Sequence, residues 1–213
     1  MTVLNRLKSI LDLAKPVIKD APFADVIKLI SRHDVIPFDV TDIAHLALLD
    51  RIDQAMKACV ARVRREPIVT SRPNEAGNKI EKPLAEELER AGLEVRDILN
   101  ARGKKQATGY PDLLVCHNGV LAYLECKTYS AKNRTSGNRS FYFSPSETFK
   151  VTQTGHHLLA AFELEQIEVN GVKGRAPVSF TLTDLSGLTC TLKLEFNASN
   201  KALYDPRAVL LKG

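Results

Sequence analysis

Asp112, Glu125 and Lys127 are the residues of this chain whose types and spacing promise chemistry. Between the two acids lie two short apolar runs, Leu113-Leu114-Val115-Cys116 and Val120-Leu121-Ala122-Tyr123-Leu124, on either side of Asn118-Gly119. An Asn-Gly pair so flanked is the strongest short-range signal for a two-residue hairpin. With those two residues as the loop, His117 faces Val120, Val115 faces Ala122 and Leu113 faces Leu124, so Asp112 falls opposite Glu125. Directly opposed residues carry their Cβ atoms roughly 4.5–5.5 Å apart on one face. Lys127, two residues beyond Glu125, points to that same face. Two carboxylates in an apolar hairpin repel each other unless a cation sits between them. The register therefore asks for a divalent metal with an ammonium beside it.

The charge of the chain is gathered around this pair. From Ile98 to Ser146 the bases are Arg102, Lys104, Lys105, Lys127, Lys132, Arg134 and Arg139, against only Asp112 and Glu125, which accounts for the whole formal net charge of +5. Such a basic surround suits a polyanionic substrate such as nucleic acid. Arg102, Lys104 and Lys105 make a basic turn before the hairpin. Lys132, Arg134, Asn138 and Arg139 lie in a polar stretch after it, where Arg and Asn side chains can pair with guanine and adenine edges. The four cysteines, Cys59, Cys116, Cys126 and Cys190, are scattered without a C-x-x-C pair, which argues against zinc and disulfide frameworks. Cys126, between Glu125 and Lys127, faces away from the proposed metal and reads as a small buried residue.

The elements that must position these residues follow from periodicity and breakers. The 213 residues, 44% hydrophobic and 26% charged, suit a globular protein of one ordinary domain or a core with an appendage. Residues 2–66 read as helical: an apolar stripe from Val3 to Leu13 that Pro16 should end, a segment over 24–31, and a longer helix over 43–65 capped by Thr41 or Asp42. Residues 67–77 look like a connector. Ile80, Leu84 and Leu88 mark another helix closing at Gly92, and Pro83 predicts that it begins only near that proline. A strand over 95–99 precedes the hairpin. Ser144-Pro145-Ser146-Glu147 has the form of a capping box, predicting a short helix that Gly155 ends. Strands are then expected over 158–169, 178–182 and 188–196, with turns at Asn170-Gly171 and Ser186-Gly187. His33, His45, His156 and His157 read as structural rather than as ligands.

The sequence Pro111-Asp112, a hairpin-length gap and Glu125-Cys126-Lys127 resembles the PD-(D/E)xK nuclease superfamily, and the resemblance extends over roughly residues 75–165. The stretch Gly77-Asn78-Lys79-Ile80-Glu81, with Leu84, Leu88 and Gly92, is similar to the first core helix of that superfamily. The resemblance implies an α/β fold with a mixed central β-sheet flanked by helices, here with an N-terminal helical segment over 1–66 and a nuclease core over 67–213. It implies hydrolysis of DNA phosphodiester bonds to 5′-phosphate and 3′-hydroxyl ends. Asp112 and Glu125 would hold Mg²⁺ together with the backbone carbonyl of Cys126. Glu81 matches the position of a further acidic contact, with Glu75 as the other candidate. Lys127 would position the attacking water or stabilise developing charge. Small size and a polar loop after the Glu-x-Lys strand look most like a type II restriction endonuclease acting on double-stranded DNA as a homodimer. The alternatives are a structure-selective nuclease such as a Holliday junction resolvase, and a DNA-binding module that has lost catalysis. No apolar run approaches the ~20 residues of a membrane span, and Lys8, Asp12 and Lys15 break the first apolar segment too early for a secretory signal. The expectation is a cytoplasmic protein.

Overall fold

The computed structural model describes residues 2–6, 8, 18–70, 73–106, 109–133, 148–169, 171–192, 206–207 and 211. The chain falls into two compact units, one of Pro22–Leu188 and one of Met1–Ala21 with Thr189–Gly213. In the smaller unit, residues 3–6 are helical, and β1 (Ile18–Pro22) pairs with β7 (Thr189–Leu192) in a two-stranded sheet. This corrects the expectation of helix throughout 2–66. Pairing to a strand at the far end of the sequence is a long-range event that no local periodicity announces. Residues 193–196 of the expected last strand lie outside the described residues.

The larger unit holds α1 (Phe23–Ser31), α2 (Ile43–Arg65), α3 (Pro73–Arg90), β2 (Glu94–Arg96), β3 (Leu113–His117), β4 (Val120–Tyr129), β5 (His156–Val169) and β6 (Val172–Asp184). These strands form one sheet in the order β2-β3-β4-β5-β6, antiparallel except for the parallel β4/β5 pair. The fold is mixed α/β, a five-stranded mixed sheet flanked by helices. A parallel pair needs a crossover rather than a hairpin, and residues 130–155 supply it. Within that crossover, Ala131–Asn133 forms one 3-10 turn and 148–154 is turn and bend. The helix expected from Ser144 to Gly155 is therefore absent over its described part. Gly155 instead lies hard against β4: a Cβ there would come within 2.6 Å of Leu121 Cδ2.

Alternation along the strands divides the core into two faces. Val115, Ala122, Leu124, Cys126, Leu158, Ala160 and Phe162 face Leu48, Ile52 and Met56 of α2 and Ile80, Leu84 and Leu88 of α3, all buried. The long helix of the expected N-terminal segment thus belongs to the same core as the hairpin. On the other face Tyr123 packs on His157, ring centroids 4.9 Å apart, and Phe23 of α1 covers His157 at 5.7 Å.

Local chemistry explains the helix ends. Asp42 caps α2, its carboxylate accepting from the backbone N–H groups of Ala44 at 2.7 Å and His45 at 3.1 Å. Helix α3 closes in a Schellman turn, with Leu93 N–H donating to Leu88 O and Gly92 N–H to Glu89 O. Its start corrects the sequence expectation, for α3 begins at Pro73 and carries Pro83 inside it. An interior proline costs about 3 kcal/mol. Ala76 and Ile80, both fully buried on the same face as Leu84 and Leu88, offset that cost by burial of roughly 1.5–3 kcal/mol for a large apolar side chain such as Ile80. The connector shortens accordingly, and Ile68 pairs with Arg175 of β6 through two backbone bonds of 2.9 Å.

Candidate active site

The hairpin adopts the register its turn predicts. His117 pairs with Val120, Val115 with Ala122 and Leu113 with Leu124. Asn118 and Gly119 both take positive φ, 49° and 83°, the geometry of a type I′ turn. Asp112 stands one residue before β3, its N–H donating to Leu124 O at 3.1 Å. Its carboxylate replaces the next ladder bond, Oδ2 accepting from Cys126 N–H at 2.8 Å. That side-chain bond turns Asp112 toward Glu125, the neighbour of Cys126 on β4.

Glu125 is 3% exposed. Lys127 donates to Glu125 Oε1, whereas Glu125 Oε2 is buried with no protein partner. An unpaired buried carboxylate oxygen is costly, and here the charge of a second carboxylate, Asp112, acts on the same group. Burial, then the nearby charge of Asp112, pushes the Glu125 carboxyl up to about 7. Glu81, half-buried on α3, is raised to about 7 for the same two reasons in the same order. Gly77, one turn before Glu81, lies against β4, where a Cβ would make an ordinary 3.5 Å contact with Thr128 Oγ1. Asp112, Glu125, Lys127 and Glu81 are therefore brought into one electrostatic neighbourhood.

The donor set suits a hard cation. Two carboxylates supply oxygen ligands, one of them carrying the orphaned Oε2. A strand residue presents its N–H and C=O to the same edge, so the Cys126 carbonyl lies on the side where its N–H meets Asp112. Oxygen donors of this kind fit Mg²⁺, which keeps several waters and takes only one or two carboxylates. Among the described residues no group of three or more His, Cys, Asp and Glu side chains is gathered closely enough to hold a metal by itself. Glu81 thus stands near the pair without completing a three-carboxylate cage. Nothing is described of the Glu75 side chain.

Sequence reasoning missed Lys150. It is 4% exposed, and its ammonium donates to Gly109 O at 2.6 Å and Pro111 O at 2.9 Å. Burial pulls its pKa below the usual ammonium range, and Asp112, Glu125 and Glu81 draw it back up. A lysine between Phe149 and Val151 carries no motif, so only the crossover between β4 and β5 could bring it here. Tyr110, between the two carbonyls that Lys150 holds, pairs through its hydroxyl with His157 Nδ1 at 2.6 Å.

The outlying basic residues divide. Arg102, Lys104 and Lys105 are exposed in the turn after β2, and Lys105 is paired with Asp97 at 2.6 Å. Lys132 is exposed just beyond β4. Arg134, Asn138 and Arg139 lie outside the described residues. Cys126 is buried in the core, facing α2 and α3, as its position between Glu125 and Lys127 predicted. The histidines make structural contacts: His156 Nδ1 meets Ile36 O at 3.0 Å, and its ring lies 4.3 Å from that of His45.

Comparison with known proteins adds a lineage to this geometry. A family model described as the Type II restriction enzyme MjaV family matches residues 17–207. The chain is 29% identical over 222 residues to the Type II restriction enzyme MjaV of Methanocaldococcus jannaschii, covering 97% of this chain and 94% of that protein. No solved structure matches it. The family match runs unbroken from before β1, through Asp112 and Glu125, to beyond β7, and on that extent the chain belongs to the Type II restriction enzyme MjaV family.

Proposed function

We propose that this type II restriction endonuclease hydrolyses double-stranded DNA at a short specific site, using Mg²⁺ held by Asp112, Glu125 and the Cys126 carbonyl. The observation that carries this reading is the buried, unpartnered Glu125 Oε2 beside an Asp112 carboxylate already oriented by Cys126 N–H. The mixed five-stranded sheet, with α3 packed on the hairpin, is consistent with a restriction-endonuclease-like core. Mg²⁺ at such a site supplies Lewis acidity, lowering the pKa of bound water and neutralising charge on the phosphate.

The chain's own residues perform the rest. Asp112 is aimed by a backbone donor, so its carboxylate need not reorganise when DNA arrives. Glu125 is fixed by burial, and Lys127 holds one of its oxygens. Whereas Glu125 is buried, Lys127 is about one-third accessible along its side chain. It therefore reaches the position where an attacking water or a developing phosphate charge would lie. Glu81 supports the pair from α3. Lys132, Arg102 and Lys104 offer phosphate contacts around the site. A two-fold pair of chains would match a palindromic duplex, so the active form is taken as a homodimer.

Mapping of cleavage ends on a defined plasmid, with Mg²⁺ and with EDTA, tests the reading. Discrete ends at one repeated sequence, 5′-phosphates, and no cutting in EDTA are expected. Cleavage confined to branched junctions, or metal-independent cutting, would overturn it.

A further inference from the structure

The turn leading to Asp112 is held at each of three consecutive residues, at two by the crossover segment and at the third by β5. Gly109 O and Pro111 O accept from Lys150 Nζ, and the Tyr110 hydroxyl meets His157 Nδ1. The segment that carries Lys150 is itself secured. Ala101 N–H donates to Phe149 O at 2.9 Å, and the N–H groups of Thr152 and Gln153 both donate to Tyr123 Oη at 3.1 Å. Tyr123 is fully buried in β4, two residues before Glu125. Lys150 thus connects the strand that carries Glu125 to the turn that carries Asp112.

A lysine ammonium is an expensive group to bury. A buried lysine normally finds a carboxylate partner, yet the Lys150 ammonium donates to two backbone carbonyls flanking the approach to Asp112. Its charge still faces Asp112, Glu125 and Glu81. Its position therefore does two things at once. It ties down the turn that leads to Asp112, and it keeps a positive charge near the two carboxylates.

We propose that Lys150 is a positioning residue for DNA cleavage, fixing the Asp112 carboxylate relative to Glu125 by clamping the Gly109 and Pro111 carbonyls. The inference rests on the assignment of Asp112 and Glu125 as the metal-holding pair. It assigns Lys150 no contact with DNA. Removing the clamp therefore slows turnover without weakening recognition.

The test uses the full-length protein and the cleavage site mapped for the unaltered enzyme. Lys150→Met removes donors and charge, whereas Lys150→Gln keeps N–H donors and loses the charge. Single-turnover and steady-state cleavage are measured over a Mg²⁺ series, duplex binding is measured in Ca²⁺, and thermal midpoints check folding. Loss of a group that orients a metal ligand costs roughly 10–100-fold in activity or metal affinity. Lys150→Met is expected to lose that much in kcat and to need more Mg²⁺ for half-maximal rate, while KM and Ca²⁺-supported binding stay within about threefold. Lys150→Gln should recover part of the loss, and it is the variant judged if Lys150→Met does not fold. The inference is overturned if the folded variant cleaves at the normal rate. It is equally overturned if kcat is kept while KM and binding deteriorate, or if the Mg²⁺ requirement falls, as loss of a repelling charge alone would produce. Asp112→Ala separates the two levels: cleavage retained by Asp112→Ala defeats the metal-site reading, whereas an inactive Asp112→Ala beside a fully active Lys150→Met defeats only the clamp.

Discussion

Asp112 occupies the position where strand pairing ends and side-chain bonding begins. Its Oδ2 takes the Cys126 N–H that a further residue of β3 would otherwise have paired. Asp112→Ala should reduce cleavage to background while binding of the duplex in Ca²⁺ remains near normal, because the exposed lysines and arginines are untouched. Near-normal cleavage by this variant, measured on the mapped site, would sink the assignment. His157 poses a different residue-scale question. Burial, reinforced by His156, lowers its pKa from 6.5 to about 4, against a smaller opposing pull from Asp184. The unfolded chain therefore binds more protons than the folded one between those values, so stability falls as the pH drops from about 6.5 toward about 4. The loss from this one group is at most about 1.4 kcal/mol per pH unit. Urea unfolding of the wild type and of His157→Gln at pH 5 and pH 7 checks it. The variant should show the shallower dependence on pH, and equal slopes would remove His157 as the cause.

Among the elements, α3 and the crossover carry the most information. Helix α3 runs through Pro83 because its buried stripe begins before the proline as well as after it, and that extension puts Glu81 within the helix beside the hairpin. The crossover between β4 and β5 starts at the end of the strand that carries Glu125 and Lys127, and Lys132 lies exposed just beyond it. Arg134, Asn138 and Arg139 are proposed to contribute to sequence reading. A lost phosphate contact should weaken binding to every duplex and reduce the salt slope by roughly one. A lost bidentate base contact should cost about 1–3 kcal/mol at the cognate site and little elsewhere. Alanine variants of the three, titrated against cognate and random duplexes across a salt series, distinguish these behaviours. Equal losses on both duplexes would reduce the stretch to backbone holding.

For the whole molecule, the proposed metal would be linked to folding. A cation that binds the folded chain and not the unfolded one raises stability by mass action. Mg²⁺ and Ca²⁺ should each raise the thermal midpoint of the wild type, and the shift should vanish in Asp112→Ala. Mg²⁺ should support cleavage, whereas Ca²⁺, with looser coordination and weaker activation of water, should support binding alone. An unchanged midpoint at millimolar metal, or cutting in excess EDTA, would contradict the carboxylate site. No helix among the described residues is long and apolar enough to cross a membrane.

The hairpin was legible in the sequence because its information is local. Asn118-Gly119 admits positive φ at both positions, a two-residue loop sets the pairing, and pairing alone puts Asp112 opposite Glu125. The Asp42 cap and the Gly92 stop were legible for the same reason, since each is a bond between near neighbours. What sequence reasoning could not reach depends on groups distant along the chain. β1 is a strand only because β7 pairs with it. Helix α3 passes through Pro83 only because the sheet buries Ala76 and Ile80. Lys150 enters the site only because a parallel β4/β5 pair obliges the chain to cross over and return beside Tyr123 and Gly109. A turn records its conformation in its own residues, but burial and long-range pairing belong to the partner surface. That surface exists only once the sheet has formed.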